Sequence, residues 1–147
     1  MKKIRLKLIL TGCGFLPLAL GSFFYHLIMN RDDYFPSLPL LIGGLFLLLM
    51  WMLITRFFKK RGLTDFETLF YLHLVGEMSI LILLITHITS TFGSSIHILA
   101  QNYFLSLLWL TRRLFIGNQS MITHFIVNYL ILIFFCFLSL KLTAVKD

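Results

Sequence analysis

Charged residues are scarce in this chain of 147 residues. They make up 13% of it, about half the share in an average soluble domain. The chain also has only three prolines and two cysteines, whereas 59% of its residues are hydrophobic. So few charges could not cover a globule in water, and two cysteines exclude a disulfide-rich scaffold. The composition therefore excludes a soluble domain and a disordered chain, and it predicts a polytopic membrane protein.

Long apolar runs divide the chain. Runs of about 17–25 apolar residues cross a bilayer as helices, which satisfy every backbone polar group in lipid. The sequence thus predicts an all-α transmembrane bundle, a single domain, with five spans at about 8–29, 38–58, 68–89, 96–112 and 121–142. The fourth run is the most polar, and its alternative is four spans plus an interfacial or re-entrant helix at about 95–116.

The placement of Lys and Arg predicts the orientation. Two basic clusters flank the first two runs: Lys2, Lys3, Arg5 and Lys7, then Arg56, Lys59, Lys60 and Arg61. Basic loops stay on the cytoplasmic side, so the N-terminus is predicted to be cytoplasmic, in a multi-pass protein of the bacterial inner membrane. Five spans would place Arg112 and Arg113 inside and Lys141 outside, whereas four spans would exchange them. Both arrangements leave equal numbers of basic residues inside, so this rule does not choose.

One carboxylate lies within a run. Glu77 is near the centre of the third run, and a charged side chain at that depth costs about 2.5–3.5 kcal/mol on insertion scales. His73 lies four residues before it on the same helical face. Polar side chains of two other runs are expected to face it: Asn128, Asn102 and Gln101.

Two interpretations of Glu77 remain open. In the first, Glu77, His73, Asn128, Asn102 and Gln101 form a binding site in which Glu77 holds a proton or a cationic group. In the second, a protonated Glu77 hydrogen-bonds a neighbouring helix and only joins the two.

The histidines suggest a cofactor alternative. His73 and His87 lie fourteen residues apart on one face, about 21 Å along a helix, a separation that two stacked haems require. His124 would complete one b-type site, and His26 or His97 the other. This spacing resembles that of the di-haem cytochromes b, and the resemblance implies a membrane redox protein.

Enzyme signatures are missing from the sequence. It contains no GxSxG, HExxH, CxxC or P-loop motif, and Asp32, Asp33, Asp65 and Glu67 are expected to be solvated loop acids. The aromatic residues lie within the runs, which excludes a nucleic-acid surface. The sequence therefore favours a non-enzymatic membrane protein that acts by binding: an accessory subunit of a membrane complex, a small transporter or a toxin-immunity protein. The expected partners are the bilayer and a membrane protein or second copy.

Overall fold

The described part of the chain is helical throughout. A computed structural model describes residues 2–29, 37–91, 94–105, 107 and 121–144. Within these ranges there are six helices and no strand: α1 Lys2–Cys13, α2 Leu16–Met29, α3 Ser37–Lys60, α4 Asp65–Ile88, α5 Ser95–Leu105 and α6 Met121–Ala144. The acids Asp32 and Asp33 lie outside the described residues.

Four helical segments of the described chain are long and apolar enough to cross a membrane. They are Lys3–His26, which joins α1 and α2, Leu40–Lys60, Asp65–Ile88 and Ile122–Thr143. The predicted all-helical fold is thus confirmed for the described residues, and these four segments are compatible with a membrane protein. Helix α5 is described over 11 residues, about 16 Å, and much of the rest of the predicted fourth span, with Arg112 and Arg113, lies outside the described residues. The count of five spans stays a prediction.

The first span is interrupted between α1 and α2. Pro17 has no N–H, and its ring clashes with the carbonyl group four residues earlier, which is that of Cys13, the last residue of α1. The chain turns at Gly14 and Phe15, where the Gly14 N–H donates to the Leu10 carbonyl oxygen at 3.1 Å. A Cβ atom on Gly14 would lie 2.8 Å from the Leu72 carbonyl oxygen, so this turn packs directly against α4.

Charged residues join three helices at one end of the bundle. Thr64 and Glu67 form a capping box at the start of α4, with hydrogen bonds of 3.2 and 3.0 Å. Glu67 also pairs with Lys3 at 3.2 Å and Lys7 at 3.0 Å, and Lys59 pairs with Asp65. Asp65 and Glu67, which were predicted to be solvated loop acids, thus belong to the first turn of α4. The two basic clusters share this end, which we call the basic end.

Helix α5 begins at the opposite end of the bundle and packs closely on α2. His97 bonds to Thr86, near the end of α4, with 2.7 Å between Nδ1 and Oγ1. A Cβ atom on Gly21 would lie 1.5 Å from the Asn102 carbonyl oxygen, so only glycine permits this crossing. His97 and Asn102 are buried whereas Ile96 and Leu99 are exposed, so α5 turns polar side chains inward.

Helix α6 runs towards the basic end. Near its start, the Phe125 ring stacks on that of Phe104 in α5, with centroids 5.6 Å apart. Farther along, the Cys136 sulfur lies 3.2 Å from the hydroxyl of Thr55, five residues before the end of α3. Helix α6 is therefore antiparallel to α4, and its C-terminal end points to the same end of the bundle as the start of α1.

Candidate functional site

Glu77 lies on the outside of the bundle, at the middle of α4. It is 12 residues beyond Asp65, about 18 Å along the helix, and its side chain is exposed. The Tyr129 hydroxyl of α6 lies beside its carboxylate in the same groove. Glu77 thus has a neighbouring helix on one side and is open on the other.

A groove between α4 and α6 contains this carboxylate. It has a volume of about 230 Å³ and is lined by Phe66, Leu69, Phe70, His73, Glu77, Tyr129 and Ile133; we call it the Glu77 groove. The Phe66 and Phe70 rings stack with centroids 6.0 Å apart, and 75% of Phe66 is exposed. The groove therefore combines one carboxylate and one imidazole with aromatic walls.

His73 lies one helical turn before Glu77 and is almost fully buried, at 2% exposure. Its ring meets those of Trp51 and Tyr129 edge to face, at 5.7 and 5.6 Å between centroids. Neither ring nitrogen has a hydrogen-bond partner among the described residues. A buried polar atom without a partner costs about 1–3 kcal/mol, so a ligand that pairs with His73 would recover part of that cost.

Three helices meet behind the groove at Gly76. A Cβ atom on Gly76 would lie 2.8 Å from the Tyr129 ring and 2.9 Å from the Tyr103 hydroxyl oxygen. Within the described chain, buried polar atoms of three nearby residues also lack partners: Trp51 Nε1, the Tyr103 hydroxyl and Asn128 Oδ1. This close approach presses Tyr129 against α4, where its hydroxyl reaches Glu77.

The other predicted site residues form hydrogen bonds away from Glu77. The Asn128 amide donates to the Phe104 carbonyl oxygen at 3.2 Å, and the Asn102 amide donates to the Ser22 hydroxyl at 3.3 Å. The Gln101 amide lies 2.7 Å from Nε2 of His97 on its own helix. The structure thus brings His73 and Glu77 together in one groove, whereas these three amides bond to α5 and α2.

Tyr129, the residue of α6 that reaches Glu77, is not among the site residues predicted from the sequence. The available signal was a hydroxyl group in the middle of a run, directly after Asn128. Adjacent residues of a helix point about 100° apart, so facing Asn128 towards Glu77 would turn Tyr129 away. In the structure, α6 is rotated so that Tyr129 faces Glu77 and the Asn128 amide bonds to α5 instead.

The histidines of the haem alternative lie in different surroundings. In His97, Nδ1 lies 2.7 Å from Thr86 Oγ1 and Nε2 lies 2.7 Å from Gln101 Nε2. Coordination of iron by His97 would therefore require one of these hydrogen bonds to break. His26 and His87 are exposed, whereas His124 is buried. No group of three or more His, Cys, Asp or Glu that could hold a metal ion occurs within the described ranges. The haem sites remain a prediction.

A second groove lies on the other side of α4, between the first span and α5. It has a volume of about 290 Å³ and an almost wholly apolar lining. Its two hydroxyl side chains donate to backbone oxygens, Thr11 to Lys7 at 3.1 Å and Ser79 to Val75 at 2.8 Å. Unlike the Glu77 groove, it offers no acid, base or unpaired polar side chain among its lining residues.

Comparison with known protein families, characterised proteins and solved structures finds no match to this chain. A function can therefore be proposed only from the chemistry of the Glu77 groove.

Proposed function

We propose that the protein binds a cationic group at Glu77 from within the bilayer, as a small transporter or an accessory subunit of a membrane complex. The observation that carries this proposal is the exposure of Glu77 on a groove at the surface of the bundle. A carboxylate that only joined two helices would be enclosed between them.

The energetics of the site favour a cation. A charged carboxylate at the middle of a bilayer costs about 2.5–3.5 kcal/mol on insertion scales. The Tyr129 hydroxyl lies beside Glu77, but a carboxylate has about four acceptor positions. A cation entering from the lipid side would neutralise the charge and use the remaining positions, and the groove leaves that side open.

We further propose four spans with both termini cytoplasmic, and a re-entrant segment that contains α5. Helix α6 points to the basic end, where α1 starts, and this supports an even number of crossings. The positive-inside rule puts the basic end in the cytoplasm, and Lys141 then adds to the inner charge. The described length of α5 suits a half-crossing.

Cation binding tests the function. The purified protein in lipid nanodiscs is dialysed to equilibrium against dodecylamine or dodecyltrimethylammonium, and uptake by empty nanodiscs is subtracted. We expect saturable uptake of at least one of the two cations. Glu77→Gln should weaken it at least tenfold, because an amide keeps the shape of the side chain but carries no charge.

Asp65→Asn is the matched control, since it removes a carboxylate from the same helix outside the groove. It should bind the cation as the wild type does. Uptake no greater than that of empty nanodiscs for both cations, or equal uptake by wild type and Glu77→Gln, would overturn the proposal.

A further inference from the structure

We infer that the ligand is a lipophilic ammonium with N–H donors, and that the Glu77 groove prefers it to a quaternary ammonium because His73 accepts one of its hydrogen bonds. This inference rests on the proposed function and narrows the class of ligand. Its starting point is the pair of buried imidazole nitrogens that have no partner among the described residues.

The two acceptors belong to side chains that line the same groove. His73 and Glu77 are four residues apart on α4, so their Cβ atoms are about 5–6 Å apart on one face of the helix. An ammonium nitrogen bound by both would lie about 2.9 Å from each acceptor atom. Glu77 would receive one N–H and the charge, and the acceptor nitrogen of a neutral His73 would receive a second N–H.

A quaternary ammonium lacks the donors that this arrangement uses. Its methyl groups would still be attracted by the Glu77 carboxylate and by the Phe66, Phe70 and Tyr129 rings through cation–π contacts. It would leave the His73 nitrogens unpaired, however, and it would hold the positive charge farther from the carboxylate. Discrimination therefore depends on His73, whereas general cation binding depends on Glu77.

The remaining groove lining defines the rest of the ligand. Since water occupies about 30 Å³ per molecule, the groove of about 230 Å³ holds about seven or eight non-hydrogen atoms. That is room for the ammonium and its first carbons. Leu69 and Ile133 give the groove an apolar wall. The groove opens at the surface of the bundle, and an aliphatic tail would lie in the lipid beside that opening.

A second copy of this chain does not supply the cation. Its Lys and Arg residues all lie near the ends of the apolar runs or in the connecting segments, so none would reach the depth of Glu77. A different membrane protein would have to insert a basic residue at mid-bilayer, which itself costs about 2.5–3.5 kcal/mol. A small amphiphilic amine keeps its tail in the lipid, and it can enter from the interface as the neutral free base, which carries no charge into the apolar region.

Two probes with the same tail test the inference. Dodecylamine and dodecyltrimethylammonium are compared in nanodiscs, and wild type should bind the amine about tenfold more tightly, the typical effect of one hydrogen bond to a charged group. His73→Phe keeps an aromatic ring between Trp51 and Tyr129 but removes both nitrogens. It should lower the affinity for the amine to that for the quaternary ion, so that the ratio of the two affinities falls to about one.

His73→Gln is the companion variant, since its amide oxygen can still accept a hydrogen bond and should keep part of the preference. Equal affinity of wild type for the two probes would overturn the inference but not the proposed function, because both cations would still bind. A preference that persists in His73→Phe would also overturn it. If His73→Phe fails to elute as a single species in size-exclusion chromatography, the comparison of the two probes in wild type and His73→Gln still tests the inference.

Failure of both probes to bind would overturn the proposed function as well. Protection of the groove by a co-purified membrane protein that amine does not displace would overturn the choice of a small ligand.

Discussion

At the scale of single residues, the shape of the Glu77 groove depends on one glycine and one tyrosine as much as on its acid. Gly76 lets α6 approach α4, and the same approach brings the Tyr129 hydroxyl to the Glu77 carboxylate. Glu77 was recognisable from the sequence because a carboxylate inside an apolar run is unusual by itself. Tyr129 was not, because its role follows from the rotation of α6 about its own axis.

Gly76→Ala should destabilise the protein by about 1–3 kcal/mol, because the added methyl group overlaps the Tyr129 ring and the Tyr103 hydroxyl. It should also lower cation uptake, since Tyr129 must move. Stability is measured by denaturation in mixed detergent, and uptake in nanodiscs. The control is Gly12→Ala, where a Cβ atom meets nothing within 4 Å and alanine favours the helix. Equal stability of the two variants would contradict the close approach at Gly76.

Tyr129→Phe separates the hydroxyl from the ring. The ring still packs edge to face on His73, so the free energy of unfolding should change little. Cation affinity should fall by up to about tenfold, because the variant lacks the polar hydroxyl that lies beside Glu77. Equilibrium dialysis measures the affinity, and Tyr25→Phe, which lies outside the groove, is the control. An unchanged affinity would remove Tyr129 from the binding site.

At the scale of helices, the start of α4 shows which local signals the sequence carries. Thr64 and Glu67 have the spacing of a capping box, so this boundary was open to prediction although Glu67 was interpreted as a solvated acid. Its ion pairs with Lys3 and Lys7 were not open to prediction, because those residues are about 60 positions away in the chain. Local capping is readable from four residues, whereas ion pairing needs the folded arrangement of α1 and α4.

Two substitutions at Glu67 separate the contribution of the capping box to stability from that of the ion pairs. Glu67→Gln removes the ion pairs but keeps a side chain that completes a capping box, whereas Glu67→Ala removes both. We expect the midpoint of thermal unfolding to fall in the order wild type, Glu67→Gln, Glu67→Ala. Added salt should narrow the gap between the first two only, because it screens exposed charges. A salt-independent gap would show that the ion pairs do not stabilise the bundle.

At the scale of the whole molecule, the direction of α6 is the observation that supports the proposed four-span topology. Sequence charge alone left four and five spans equal, since exchanging Arg112 and Arg113 with Lys141 and Lys146 changes no total. The contacts of α6 with Phe104 near its start and with Thr55 farther along give its direction. Packing thus supplies information that the charge rule lacks.

Fusions at the C-terminus check this topology. With both termini cytoplasmic, green fluorescent protein after Asp147 should fluoresce and alkaline phosphatase at the same point should be inactive. Fusions after Arg61 and after Asp33 are controls, because the two topologies agree on those loops. Active phosphatase at the C-terminus would instead establish the five-span arrangement.

The amino-acid sequence by itself determined that the chain forms helices long and apolar enough to cross a membrane, and that Glu77 is its exceptional residue. Both follow from transfer free energies, which add up along a run of residues and need no knowledge of the neighbours. The tertiary structure alone decided that Glu77 opens outward beside Tyr129, with His73 behind it and the amides of Asn128 and Asn102 turned elsewhere. The rotation of each helix about its own axis depends on contacts between distant segments, such as that of Gly21 with Asn102. The periodicity of a single run does not predict such contacts.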